Sequence, residues 1–161
     1  MPASEARICR PQQIGVLPPV TECRMANSAQ GTPPARIVTA FLRDADRVLL
    51  CHRSARRRWY PDVWDLPGGH VEPDELPAAA LARELQEELG ITIAAPTAPR
   101  TWQIHGDTFD MEIWLIGAWT GSPANVAPGE HDAIAWFEKN ELGDLRLAHD
   151  SYLEMFTKAL T

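Results

Sequence analysis

The chain has 161 residues, 45% of them hydrophobic, and a formal net charge of −7 at pH 7. That length fits one domain with a substantial core, while the acidic balance disfavours bulk electrostatic binding to nucleic acid polymers or anionic membranes. No apolar run approaches the roughly 18–20 residues of a membrane-spanning helix, and residues 1–10 are charged and lack the apolar stretch of a secretory signal, so cytoplasmic residence is the default expectation. Cys9, Cys23 and Cys51 are odd in number, with no histidine at zinc-ligand spacing. They read as free thiols, with Cys51 inside an apolar run and expected in the core.

Residues 1–34 contain Pro2, Pro11, Pro18, Pro19, Pro33 and Pro34 without a sustained hydrophobic period. This predicts a flexible, proline-rich leader, with Met25 as an alternative start, ahead of a folded domain over 35–161. Residues 37–42 (IVTAFL) and 48–51 (VLLC) read as buried strands around a turn at Asp44, Ala45 and Asp46. A loop rich in Arg, Trp and Pro follows from 53 to 63. Trp64, Asp65 and Leu66 form a short strand entering Pro67-Gly68-Gly69, a tight loop that suits glycine. A helix is predicted over 76–89: Pro77 is tolerated in its first turn, Asp74 or Glu75 sits near its positive end, Leu81, Leu85 and Leu89 face the core, and Gly90 stops it. Strand patterns recur at 101–104, 109–119 and 133–137, and Tyr152, Leu153, Phe156, Ala159 and Leu160 mark an amphipathic C-terminal helix. This order of elements predicts a mixed α/β layered domain.

The strongest signal lies across 69–91. Glu84, Glu87 and Glu88 are three and four residues apart, so a helix carries them on one face, where like charges repel unless a cation gathers them. Gly69, Glu75, Arg83, Glu84, Leu85, Glu87, Glu88, Gly90 and Ile91 satisfy the pattern G-x5-E-x7-R-E-U-x-E-E-x-G-U, with U a bulky aliphatic residue. In this the chain resembles the Nudix hydrolase family. The resemblance implies a mixed β-sheet sandwiched between α-helices (α/β/α) and a metal-dependent hydrolase acting on the phosphoanhydride of nucleoside diphosphate-X compounds.

Oxygen-only donors suit hard cations, Mg²⁺ or Mn²⁺. Glu84, Glu87 and Glu88 are the candidate ligands, and the backbone carbonyl of Gly68 joins them by resemblance. Arg83, again by resemblance, is expected to pair with Glu75 and brace the loop rather than touch substrate. Three acids remain open as general base: Glu84 within the motif, and Glu112 and Glu130 outside it, Glu130 following Pro128-Gly129 in a loop. Arg53, or the Arg56–Arg58 run, is a candidate for terminal phosphates. Trp136 and His149 lie where MutT-like relatives gather base-reading groups.

The size and the Trp-Asp-Leu-Pro-Gly-Gly run look most like MutT-type nucleoside triphosphate pyrophosphohydrolases, which release a nucleoside monophosphate and pyrophosphate. An ADP-ribose or dinucleotide pyrophosphatase is the second reading, and a non-catalytic ligand-sensing domain the third. The expected partner is a small nucleotide, with no nucleic acid polymer and no membrane, and the protein is expected to be a monomer or homodimer.

Overall fold

A computed structural model describes residues 32–160; the expectations for residues 1–31, including the leader, Cys9 and Cys23, lie outside the described residues. In chain order the elements are β1 (Ala35–Asp44), β2 (Arg47–Arg53), β3 (Trp64–Asp65), β4 (Gly68–His70), α1 (Pro77–Leu89), β5 (Trp102–His105), β6 (Phe109–Ile116), β7 (His131–Glu138) and α2 (Tyr152–Ala159), with one 3-10 turn at Leu142–Asp144. The sheet runs β3-β2-β1-β6-β5, with β4 added to β1 and β7 to β2. β1 and β6 pair in parallel from Ala35↔Phe109 to Leu42↔Ile116, and the other pairings are antiparallel. The sheet is therefore mixed.

Side-chain alternation along β1 builds two cores. Val38, Ala40 and Leu42 point to one face and pack with Leu49, Cys51 and the α1 residues Leu81, Leu85 and Leu89. Phe41 points to the other face, with Val48, Leu50, Met111, Ile113 and the α2 residues Tyr152 and Phe156. Leu81, Leu85 and Leu89 are fully buried, each contributing about 1.5–3 kcal/mol relative to exposure. Helices thus cover both faces of the sheet, the expected α/β/α arrangement. No helix among the described residues is long and apolar enough to cross a membrane.

Glu75 stands just ahead of α1, which begins after Leu76 with no side-chain cap, and its carboxylate accepts from Arg83 and the Glu72 amide. The structure departs from the sequence pattern in three places. Gly68–His70 is a strand rather than only a loop, pairing with Ile37–Thr39. The approach is so close that a Cβ on Gly68 (φ +145°) would lie 2.0 Å from the Val38 carbonyl oxygen. β6 ends at Ile116, short of Trp119. Finally, Trp114, on the polar side of the β6 alternation, is buried with the α1-side core, because that face meets α1 rather than water.

Candidate active site

Gly90 adopts the left-handed conformation (φ 69°) that ends α1, and its amide bonds the Gln86 carbonyl. The helix it ends presents Glu84 and Glu88 toward the β4 strand, with the more exposed Glu87 beside them. Gly69 allows the contact, since a Cβ there would fall 2.5 Å from the Glu84 carboxylate. The Gly68 amide donates to Glu88 Oε2 at 2.8 Å.

Arg83 ties the loop to the helix as expected. Its Nε and Nη2 donate to the two Glu75 oxygens at 2.9 Å each, a bidentate fork. Nη2 also reaches the His70 carbonyl at 3.0 Å, and Nη1 donates to Glu84 at 2.8 Å and Glu87 at 3.2 Å. The Arg83 hydrogen bonds, ahead of the Glu72 amide, hold the Glu75 carboxyl down to about 2.

Glu88 has the opposite electrostatics. It is 4% exposed, and burial first, then repulsion from Glu84, Glu130 and Asp65, pushes its pKa up to about 8 despite the opposing Gly68 hydrogen bond. Burial also raises Glu84, against the pull of Arg83. Two carboxyls raised side by side mark a place where added positive charge is stabilised. Among the described residues no three His, Cys, Asp or Glu side chains stand grouped as a ready-made metal cage; Arg83 keeps Glu84 and Glu87 in its own fork. The donors nonetheless fit a hard divalent cation: oxygen atoms only, on one helix face, around a carboxyl whose ionisation lacks a counter-charge.

Glu88 gives a pH-dependent stability. Its usual value is 4.5 and its folded value about 8. Between these the folded protein keeps a proton that the unfolded chain has released, so stability falls as pH rises through that window. Glu88→Gln keeps the shape and the acceptor for Gly68 without the charge. In chelator-containing buffer the variant should melt several degrees above the parent at pH 9 and together with it at pH 4.5; equal melting temperatures at both pH values would contradict the buried-charge account.

A cavity of about 850 Å³ opens onto this face. Its lining includes Gly68, Glu84, Glu87, Glu88, Glu130, Arg53, the Arg56–Arg58 run and His149 from the sequence-derived set, together with Thr39, Asp65, Phe109, Met111 and Tyr152, which the sequence did not single out as site residues. Glu112 and Trp136 are not brought there. Glu112 shares the α1-side face of β6 with Trp114 and pairs with Arg100 at 3.6 Å. Trp136 packs against the α1-side core, stacked on Trp119 at 5.9 Å and covered by Arg47.

Arg53 lines the cavity but commits most of its guanidinium inward. It donates to the Tyr60 and Trp59 carbonyls at 3.0 Å each and to Asp65 at 3.4 Å, clasping the 54–63 loop, whose ends also meet through Arg53 and Val63. Arg57, carried on that loop, stands 3.1 Å from Glu130. His149 accepts from the Ser151 amide and shares a 2.7 Å bond with its hydroxyl, edge-on to Phe109. Asp65 accepts from the Tyr152 hydroxyl and the Leu66 amide at 2.9 Å each. Burial raises its pKa against the pull of Arg53. The Thr39 hydroxyl is buried with no hydrogen-bond partner. Cys51 is a buried free thiol, as expected.

Residues 33–158 match the NUDIX domain family model. The chain is 32% identical over 107 residues to a CTP pyrophosphohydrolase of Escherichia coli, covering 65% of this chain and 76% of that protein. It is 37% identical over 136 residues to the nucleoside triphosphatase NudI of an Enterobacter species, covering 77% and 96%. The crystal structure of a MutT Nudix hydrolase from Burkholderia pseudomallei superposes with a TM-score of 0.66 at 28% identity, over 80% of this chain and 98% of that one.

Proposed function

The chain belongs to the Nudix hydrolase family, MutT-like in kind, and on that footing we propose that it hydrolyses nucleoside triphosphates to nucleoside monophosphates and pyrophosphate. The observation that carries this reading is one cavity lined both by the Glu84, Glu87 and Glu88 face and by Phe109 and Met111 from β6, Tyr152 from α2 and His149 from the turn before α2. Phosphates suit the first lining and a planar base suits the second. The relatives' activities on CTP and on nucleoside triphosphates support the substrate class.

Glu84, Glu87 and Glu88, with the Gly68 backbone, would hold Mg²⁺ or Mn²⁺. Bound there, the cation neutralises phosphate oxygens and acidifies water. Arg83 and Glu75 keep loop and helix in register. A carboxylate, Glu84 or Glu130, takes the proton as water oxygen bonds to phosphorus and the bridging P–O bond breaks, the released oxygen leaving on the other product. Arg57, which lines the cavity and pairs with a single carboxylate, Glu130, is the arginine placed to turn toward terminal phosphates, since Arg53 is committed to two loop carbonyls and Asp65.

The test is a panel of nucleoside triphosphates, ADP-ribose and dinucleotides with Mg²⁺ or Mn²⁺, with products resolved by chromatography. A nucleoside triphosphate should give the highest kcat/KM, with monophosphate and pyrophosphate as products. ADP-ribose or a dinucleotide outpacing every triphosphate would replace this reading by the second one, and no turnover of any member would favour a ligand-sensing domain.

A further inference from the structure

His131, the first residue of β7, is 4% exposed and has no role in the chemistry above. A register shift between His52 and Arg53 sets His131 opposite Arg53 and leaves Asp132 out of the pairing; such bulges re-aim a side chain. The backbone there is fastened on both sides: the His131 amide donates to the Ala127 carbonyl at 3.1 Å, and Asn125 Nδ2 donates to the His131 carbonyl at 2.7 Å. The same segment is tied to the helix end, the Val126 amide donating to the Glu88 carbonyl at 3.1 Å. The imidazole is thereby held with Nε2 3.6 Å from Glu88 Oε1.

The other ring nitrogen selects the tautomer. Nδ1 is buried with no partner. A bare acceptor in that position costs less than an orphaned N–H, so the proton of the neutral ring sits on Nε2, facing Glu88. The Gly68 amide already donates to Glu88 Oε2. Each carboxylate oxygen therefore faces one donor, and about half an ångström of carboxylate travel brings the imidazole into hydrogen-bond range.

We propose that His131 is a positioning residue for Glu88: its Nε2–H and the Gly68 amide fix the carboxylate between them and leave the remaining lone pairs to a divalent cation. Partners of this kind around a ligating carboxylate are worth about 10–100-fold in metal affinity or activity. The inference rests on Glu88 as a ligand, and the experiment keeps the two claims apart.

Mn²⁺ binding to the full chain is measured by electron paramagnetic resonance of the free ion, for the parent and for His131→Leu, His131→Asn and His131→Gln, alongside melting temperatures in chelator and the KM and kcat of a nucleoside triphosphate. Gln can present an amide N–H where Nε2 stands, whereas Asn reaches only the position of Nδ1. Leu and Asn should weaken Mn²⁺ at least tenfold and lower kcat with KM little changed, and Gln should stay within about threefold of the parent. A merely structural role predicts instead that affinity follows melting temperature. If Leu does not fold, Asn against Gln carries the test. A folded Leu or Asn variant with parental Mn²⁺ affinity, or a Gln variant as weak as Asn, overturns the proposal. A parent that binds no Mn²⁺ overturns the reading of Glu88 itself.

Discussion

Glu88→Gln is expected to lower turnover of a nucleoside triphosphate by about three orders of magnitude, roughly 4 kcal/mol of transition-state stabilisation, in a protein that stays folded. The amide fills the same space and still accepts from the Gly68 amide, so the 2.8 Å contact survives. What disappears is the negative charge at the most enclosed of the three glutamates. A buried carboxyl raised to about 8 destabilises the folded state once it ionises, so the substitution should raise stability and lower activity together. The check is kcat with Mg²⁺ beside a thermal melt at pH 9 in chelator. A folded variant within tenfold of the parent rate would remove Glu88 from the chemistry.

The second large effect is structural. Gly68→Ala should destabilise the protein by about 3 kcal/mol or more. The new methyl would lie 2.0 Å from the Val38 carbonyl oxygen and 2.7 Å from the Thr39 Cα, both backbone atoms of the central strand. The φ of +145° is one that only glycine adopts without strain. Moving β4 outward to relieve the clash would also pull the Gly68 amide off Glu88, so residual folded protein should lose activity as well. Gly143→Ala, with nothing within 4 Å of the added carbon, is the silent control. Denaturant unfolding of both variants decides it, and a Gly68→Ala protein within 1 kcal/mol of the parent would contradict the close-approach account.

Most of the α1 side of this site is legible in the sequence because each position carries a distinct demand. The four-residue leucine spacing points a helix face inward, and Glu75, Arg83 and Glu84 assemble as their charges require. The burial of Glu88 can be read as well: it stands seven residues after Leu81 and three after Leu85, on the stripe that faces the sheet. What escapes the sequence depends on the path of the chain in three dimensions. Arg53 looks free for phosphates until the 54–63 loop folds back and takes up its donors. Glu112 and Trp136 follow strand alternation correctly, but in a sheet covered on both faces alternation does not tell which face borders the cavity. His131 is a lone histidine with no local pattern, brought to Glu88 by a bulge. Asp65, Thr39 and Tyr152 come together only where β3, β1 and α2 meet.

The central claim is that the glutamate face works through a divalent cation on a nucleotide polyphosphate. It is tested most directly by measuring pyrophosphate release from a nucleoside triphosphate in metal-free buffer while Mg²⁺ is titrated in. The account predicts no release at the outset, a saturable rise with Mg²⁺, and collapse on adding chelator. Undiminished release in chelator, or Mg²⁺-dependent release retained when Glu84, Glu87 and Glu88 are all changed to Gln, would contradict it.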